Sequence, residues 1–243
     1  MPKPTNSLSF LFGGEQNFRG TDHASYLTYG FELNNIFSIT SEAYLEIDNQ
    51  FSFGPGFYYI TNPYSKPGSY PSNLNKYYGR ATLGRTFTFS NNYKLALGIG
   101  GGYRRLYYQA KYNKSFVEVS PSEFPGVFPR AIFLYEEAYI PLQFNLNIPF
   151  EEKISLSFNN IVIIGPHGLA QHTFTGPNGF TEPTYHRSIG YYPTILLNYN
   201  NLSLGPWGSF DWLTLGEYHH MHRVPAGNQL KIIEFGIKTS YVF

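Results

Sequence analysis

Hydrophobic and polar residues alternate with a period of two along much of this chain, and segment 140–148 shows the pattern most clearly. One set of alternate positions is wholly apolar: Ile140, Leu142, Phe144, Leu146 and Ile148. The positions between them hold Pro141, Gln143, Asn145 and Asn147. Successive side chains of a β-strand point to opposite faces, so the pattern predicts a strand with one apolar and one amide-rich face. Amides buried in a sandwich would each need a partner, whereas a hydrated barrel lumen supplies partners, so we predict apolar residues facing lipid and polar residues facing a lumen.

The two-faced pattern recurs in other segments, where small or polar residues occupy the alternate positions. Their apolar positions are Leu27, Tyr29, Phe31 and Leu33; Leu45 and Ile47; Leu95, Leu97 and Ile99; and Ile154, Leu156 and Phe158. Small inward side chains suit a narrow barrel. The segments predict an all-β, antiparallel up-and-down transmembrane β-barrel of one domain (1–243), with about ten strands and eight as the alternative. The ten predicted strands are 7–14, 25–37, 42–60, 76–89, 93–112, 131–149, 153–164, 185–202, 210–221 and 229–243.

Two charged residues fit these strands poorly. Arg85 shares a face with the apolar Leu83 and Phe87, and Glu217 would share a face with Leu213 and Leu215. A β-bulge, a short strand or the eight-stranded alternative would accommodate them.

The predicted connections alternate between short and long. The short ones are 38–41, 90–92, 150–152 and the region 205–208, and the long ones, rich in Pro, Gly, Asn and Ser, are 13–24, 61–75, 114–130, 165–184 and the shorter 222–228. This rhythm is typical of bacterial barrels, which have short periplasmic turns and longer extracellular loops. It predicts that both chain termini are periplasmic.

Composition narrows the class of protein further. Charged residues make up 14% of the 243 residues, whereas a soluble globular domain carries about 25%. No run of Lys and Arg suggests a nucleic-acid partner, and no stretch approaches the ~18 consecutive apolar residues of a transmembrane helix. The mean hydropathy of −0.27 suits a barrel, which conceals its apolar content by alternation. The alternative fold is a soluble β-sandwich or lipocalin-like barrel with its apolar face inward.

The last strand, FGIKTSYVF, ends on an aromatic residue at the carboxyl terminus. Phe235, Ile237, Tyr241 and Phe243 share one face, so the strand resembles the assembly signal of Gram-negative outer-membrane proteins. The resemblance implies an integral protein of a Gram-negative outer membrane, with the barrel-assembly machinery and outer-membrane lipids as partners. No signal-peptide pattern precedes the first strand, so either a start methionine has replaced the signal peptide or the export interpretation is wrong. Segment 135–144, YEEAYIPLQF, is similar to the Y-x-x-I-P-L strand of PorT-like outer-membrane families of Bacteroidetes.

Charged residues at inward positions are the best candidates for a structured lumen. Glu32, Glu46 and Asp48 are predicted to face Arg80. On the last strand, Glu234 is predicted to face Lys238. Unpaired charges in a small lumen are costly, so opposite charges should pair across it. We favour an ion-paired plug that fills the barrel, and a narrow polar conduit is the alternative.

Histidines supply the only concentrated chemical pattern. His219, His220 and His222 lie in EYHHMHR, where His220 and His222 point the same way and form an alternative metal pair. The preferred interpretation is that these histidines bind no metal, and no cofactor is expected.

The spacing of His186 and Ser188 is similar to that in outer-membrane lipid A deacylases and implies a base and a nucleophile. Neither the Asn that follows Ser in that family nor a nearby acid is present. The alternation of side chains along the strand also directs Ser188 toward the lumen. The leading functional prediction is therefore a non-enzymatic outer-membrane barrel. Its long loops would bind a protein or small molecule, or act in adhesion or as a scaffold, with passive transport as a variant. A lipid hydrolase using His186 and Ser188 is the alternative.

Overall fold

The computed structural model describes residues 5–19, 22–60, 68–90, 92–111, 130–176, 179–216 and 229–243. These residues form ten β-strands: β1 (Thr5–Arg19), β2 (Asp22–Ser38), β3 (Ala43–Ile60), β4 (Gly68–Thr88), β5 (Lys94–Lys111), β6 (Arg130–Glu151), β7 (Ile154–Thr175), β8 (Phe180–Tyr199), β9 (Leu202–Leu215) and β10 (Gln229–Val242). In this part of the chain no helix is long and apolar enough to cross a membrane.

The ten strands form a closed, up-and-down barrel. Each strand pairs antiparallel with its sequence neighbours, and β1 closes the sheet by pairing with β10. Closure leaves no unpaired sheet edge. The prediction of an antiparallel barrel with ten strands is confirmed, and the alternative of eight strands is wrong.

The connections fall at two ends of the barrel. The turn end carries the connections 39–42, 89–93, 152–153 and 200–201 together with the start of β1 and the end of β10. The loop end carries the connections 20–21, 61–67, 112–129, 176–179 and 216–228. The first connection at the loop end is only two residues long, so the short-long rhythm is less regular than the sequence suggests.

The polarity of the barrel wall inverts along its axis. Toward the turn end the outward side chains are large and apolar, and Phe10 and Phe12 are each 59% exposed. Toward the loop end the outward positions of β4 hold Asn73 and Asn75, whereas the inward Leu74 is fully buried. The barrel is therefore apolar outside and polar inside in one half, whereas the other half has an apolar core and a more polar outer wall, in which Phe57 and Tyr185 are also exposed.

This inversion explains why two predicted long loops are wrong. Most of 165–184 and the second half of 61–75 belong to strands β7, β8 and β4. A bulge in β7 between Gly165 and Gly168 also reverses which residues point inward, so the alternation of the sequence breaks at that point. Strands with polar outward faces have the composition of loops, which is why composition alone misassigned them.

The predicted loop 13–24 is also mostly strand. β1 continues to Arg19 and pairs with β2 in register, and its inward positions Glu15 and Asn17 are buried in the lumen. Polar residues that the sequence assigned to a loop therefore line the interior instead.

The predicted turn at 205–208 lies inside β9, and the chain turns at residues 200–201. Asn200 has a φ of 52°, a left-handed conformation that Asn tolerates better than most residues. Trp207 points inward and is buried, whereas Pro206 is exposed. The Gly and Pro residues that indicated a turn thus belong to a strand.

The two poorly fitting charges have different outcomes. Arg85 is exposed near the turn end, where its guanidinium pairs with Glu42 of the β2–β3 turn and lies 5.3 Å from the ring centre of Phe87. The neighbours of Glu217, Leu213 and Leu215, are buried inside the barrel, and Glu217 itself lies outside the described residues.

Candidate functional site: the barrel interior

Buried apolar side chains fill the interior toward the loop end. They come from seven of the ten strands: Ala24, Tyr26, Leu74, Tyr78, Leu106, Tyr108, Tyr135, Ala170, Leu213, Leu215, Leu230 and Ile232. A smaller cluster adds Tyr70, Ala110, Ala131 and Phe174. Because these side chains converge from around the wall, they form a packed core in this half of the barrel.

Lys76 links opposite parts of the wall at one side of this core. It extends from β4 and donates to Glu15 of β1 and Glu234 of β10, and all three side chains are almost completely buried. Glu15 and Glu234 are directly opposite each other in the β1–β10 pairing, an arrangement that is unfavourable for like charges. The ammonium group of Lys76 therefore compensates two adjacent carboxylates.

Arg104 forms a second cross-link from β5. Its Nε donates to Glu137 of β6, and its Nη1 donates to Asp211 of β9 at 2.6 Å and to the Tyr192 hydroxyl of β8 at 2.9 Å. The Tyr192 hydroxyl also donates to Asp211 at 2.7 Å. Arg104 is 1% exposed, so one guanidinium spans the middle of the lumen and shares its charge between two buried carboxylates.

The third ionic group lies nearer the turn end and contains most of the charges predicted from sequence. Arg80 Nη2 lies 3.1 Å from Glu46 Oε1 and 2.9 Å from Asp48 Oδ2, and Lys238 donates to Glu32 across strand β1. Asn34 and Gln143 each donate to Glu46 at 2.7 Å. Hydrogen bonds and ion pairs thus hold these charges against the wall.

The structure gives Glu234 and Lys238 separate partners, although both point inward from β10. Glu234 pairs with Lys76, and Lys238 pairs with Glu32. Residues on one face of a strand lie side by side along the wall, whereas these long side chains reach across the lumen or over a neighbouring strand. Parity identified their shared face but could not identify their partners.

His186 and Ser188 lie together inside the barrel on β8. Ser188 Oγ donates to Glu137 Oε1 at 2.6 Å and contacts Oε2 at 2.8 Å, and His186 Nε2 lies 3.1 Å from Oε2 without hydrogen-bond alignment. Glu137 is the acid that sequence reasoning did not find. It lies between the serine and the histidine, whereas a catalytic triad needs the histidine between serine and acid.

The other histidines have varied surroundings. His172 is buried, with Nε2 3.2 Å from the Tyr135 hydroxyl and Nδ1 3.3 Å from Arg19 Nη1. His167 is stacked on Tyr185. His219 and the alternative metal pair, His220 and His222, lie outside the described residues. Among the residues that are described, no group of three or more His, Asp or Glu side chains is arranged to hold a metal ion.

The sequence contained signals for several lumen residues that the prediction omitted. Lys76, Arg104 and Glu137 all occupy inward positions of strands that were predicted, so parity alone could have identified them. Glu15 was missed because its segment was assigned to a loop. Asp211 lies in the predicted strand 210–221, but it shares a face with Leu213 and Leu215, whose apolar character suggests an outward face although both are buried in the core.

The residues of the predicted assembly signal share the outer surface of β10. Phe235, Ile237, Tyr241 and Phe243 are all exposed on this surface, and the Tyr241 and Phe243 rings stack. They lie beside the outward apolar residues of β1 and β9.

No family model matches the chain, and no curated protein matches it either. The comparison with solved structures finds outer-membrane proteins. The outer membrane protease OmpT from Escherichia coli is 13% identical, with a TM-score of 0.54 over 100% of this chain and 98% of that one. The transport unit of the autotransporter AIDA-I from Escherichia coli is 9% identical, with a TM-score of 0.48 over 98% and 90% of the two chains. The outer membrane protein OprG from Pseudomonas aeruginosa is 9% identical, with a TM-score of 0.38 over 98% and 95%.

At these identities the similarity to OmpT shows a shared fold alone, and the two lower scores carry no argument. The comparisons do not show the resemblance of segment 135–144 to PorT-like families, which stays a prediction.

Proposed function

We propose that this protein is an integral outer-membrane β-barrel with a closed lumen, acting through its loop end as a binding, adhesion or scaffold surface. The observation that carries the closed lumen is Arg104, whose buried guanidinium joins β5 to β6 and to β9 across the interior. The apolar core adds a second barrier on the loop side of this cross-link. A hydrated ion would have to displace both layers, so the plug is favoured over the conduit.

The polarity inversion supports both the membrane location and the orientation. The outward apolar side chains of the turn-end half form the surface that lipid would cover, whereas the polar outer wall of the loop-end half suits water. Outer-membrane barrels have their longer loops outside the cell. We therefore place the loop end outside and both termini in the periplasm.

The loop-end connections supply the material for recognition under this proposal. Connections 61–67 and 112–129 are what the strands leave of the predicted loops 61–75 and 114–130, and they lie wholly outside the described part of the chain. The predicted loop 165–184 is reduced to 176–179, so we assign less of the binding surface to it.

Planar-bilayer recording tests the closed lumen. The purified wild-type barrel should give no discrete conductance steps. A variant with Arg104→Ser, Lys76→Ser, Leu74→Ala and Leu106→Ala should give them, provided that heat-dependent mobility shows it folded, because these substitutions remove both cross-links and open the apolar core. Discrete steps from the wild type, with heat-dependent gel mobility showing a folded barrel, would reject the plug. A wild-type chain that stays soluble without detergent would instead reject the membrane location.

The lipid hydrolase stays the second candidate because Glu137 joins Ser188 and His186 in one cluster. Against it, Ser188 is 8% exposed and faces the interior, so an acyl chain in the bilayer does not reach it. We expect unchanged lipid A and phospholipids, by mass spectrometry, in cells overproducing the wild type or Ser188→Ala. Loss of an acyl chain with the wild type alone would place the hydrolase first.

A further inference from the structure

The turn-end half of the lumen contains a cavity of about 310 Å³. It extends from Ile36, Asn198 and Val242, close to the ends of their strands, to Arg80 and Tyr192 in the middle of the barrel. We call this space the turn-end chamber. Its volume is at the lower end of the ~300–1,000 Å³ of ordinary small-molecule pockets. The partly exposed amides in its lining show that solvent reaches it from the turn end.

The charged groups of the chamber are already paired. Lys238 contacts Glu32, and Arg80 contacts Glu46 and Asp48. A charged solute would have to compete with these contacts and would lose its own hydration on entering. The lining therefore disfavours small ions and leaves hydrogen bonding as the main source of recognition.

The residues that line this chamber carry both hydrogen-bond acceptors and donors. Asn34 and Asn198 use their amide N–H groups on Glu46 and on Ser157, which leaves their carbonyl oxygens as acceptors. Trp207 Nε1 and Asn145 Oδ1 are buried without a protein hydrogen-bond partner among the described residues. Such groups are normally paired with water or a ligand.

We infer that the turn-end chamber binds a small, neutral, polyhydroxylated solute of mono- or disaccharide size. Hydroxyl groups both donate and accept, which matches the amide oxygens and the indole N–H. The Trp207 ring adds an apolar surface for the C–H groups of a sugar. This inference goes beyond the proposed function, because it concerns the opposite end of the barrel and does not depend on what the loops bind.

Tryptophan fluorescence gives a direct test, since the chain has two tryptophans and only Trp207 lines the chamber. In the Trp212→Phe variant in detergent, glucose and maltose should change the Trp207 emission saturably. Sodium glucuronate and glucosamine are the charged counterparts, and their affinity should be at least tenfold lower. Isothermal titration calorimetry on the same samples should give the same order.

Adjacent residues of β7 provide matched variants. Asn159 lines the chamber, whereas Asn160 points outward and accepts a hydrogen bond from the Tyr191 hydroxyl at 2.6 Å. Asn159→Phe should lower the affinity for maltose at least tenfold, and Asn160→Phe should leave it unchanged. Should Asn159→Phe fail to fold by heat-dependent gel mobility, Asn145→Leu removes the free acceptor with little change in volume and should also weaken binding.

Three results would overturn the inference: no saturable response to either sugar, undiminished binding in both chamber variants, or tighter binding of a charged counterpart. None of them bears on the bilayer recordings that test the closed lumen. Failure of the chamber and failure of the proposed function are therefore distinguishable.

Discussion

Lys76 shows how a single residue determines whether neighbouring strands are compatible. The β1–β10 register sets Glu15 and Glu234 side by side, and both are buried almost completely. Without a cation between them the two charges would repel each other in a medium of low dielectric. Lys76 thus stabilises the barrel mainly by cancelling the repulsion between two carboxylates that the strand register places side by side.

Replacing Lys76 with Met should therefore destabilise the barrel strongly. Leaving buried charges uncompensated typically costs ~3–5 kcal/mol, which we expect as the loss in the free energy of unfolding by urea in phospholipid vesicles. Lys231→Met, at an exposed position of β10, is the matched control and should change this free energy by less than ~0.5 kcal/mol. Adding Glu15→Gln and Glu234→Gln to Lys76→Met should recover part of the loss. Equal stabilities for the two lysine variants would contradict this account.

At the scale of the element, the structural role of β10 can be separated experimentally from the assembly-signal role that we propose for it. Phe243 is 65% exposed, and its backbone N–H donates to Asn6 O at 3.0 Å. Its side chain is thus on the outer surface, where its removal takes little packing away. If the terminal aromatic residue is an assembly signal, its importance should appear in the rate of assembly and much less in stability.

Phe243→Ala should lower the fraction of newly made protein that becomes a heat-modifiable barrel in the outer membrane several-fold. The purified variant, once refolded, should unfold within ~1 kcal/mol of the wild type, since exposed substitutions rarely cost more. Val242→Ala is the control, because Val242 lies on the inward face and should not impair assembly. A defect of the same size in both variants would assign Phe243 a purely structural role.

The strands also show what the sequence could predict. Alternation located the turn-end halves of β2, β3, β5, β6 and β10, because most outward positions there are apolar. It failed in β7, where the bulge at Gly165 reverses the parity, and in β1 beyond Gly13, where the polar residues line the lumen. The local sequence pattern indicates which face of a strand a residue occupies. Which residues pair, as Lys76 and Glu234 do, depends on how the closed barrel brings distant strands together.

At the scale of the whole molecule, the two halves of the barrel differ in which face of the wall is apolar. The loop-end half has an apolar core and a more polar exterior, as a water-soluble barrel has, and the turn-end half has an apolar exterior and a polar lumen. A soluble lipocalin-like fold would keep its apolar residues inward throughout, so this alternative fits only one half. The boundary between the halves should mark the level of the outer membrane–water interface.

Trp212 lies near that boundary and allows its position to be measured. It points outward from β9 with 41% of its surface exposed, and its strand partners are the apolar Ile189 on one side and the charged Lys231 on the other. Tryptophan is enriched at membrane–water interfaces.

In vesicles of brominated lipids, the fluorescence of Trp212 in the Trp207→Phe variant should be quenched more by bromines near the headgroup than by bromines near the chain ends. Trp207 in the Trp212→Phe variant should be quenched by neither, because the strand wall separates it from lipid. Strong quenching of Trp212 by the deep bromines would show that the loop-end half lies inside the bilayer. No quenching at all would show that the protein is not inserted in the membrane.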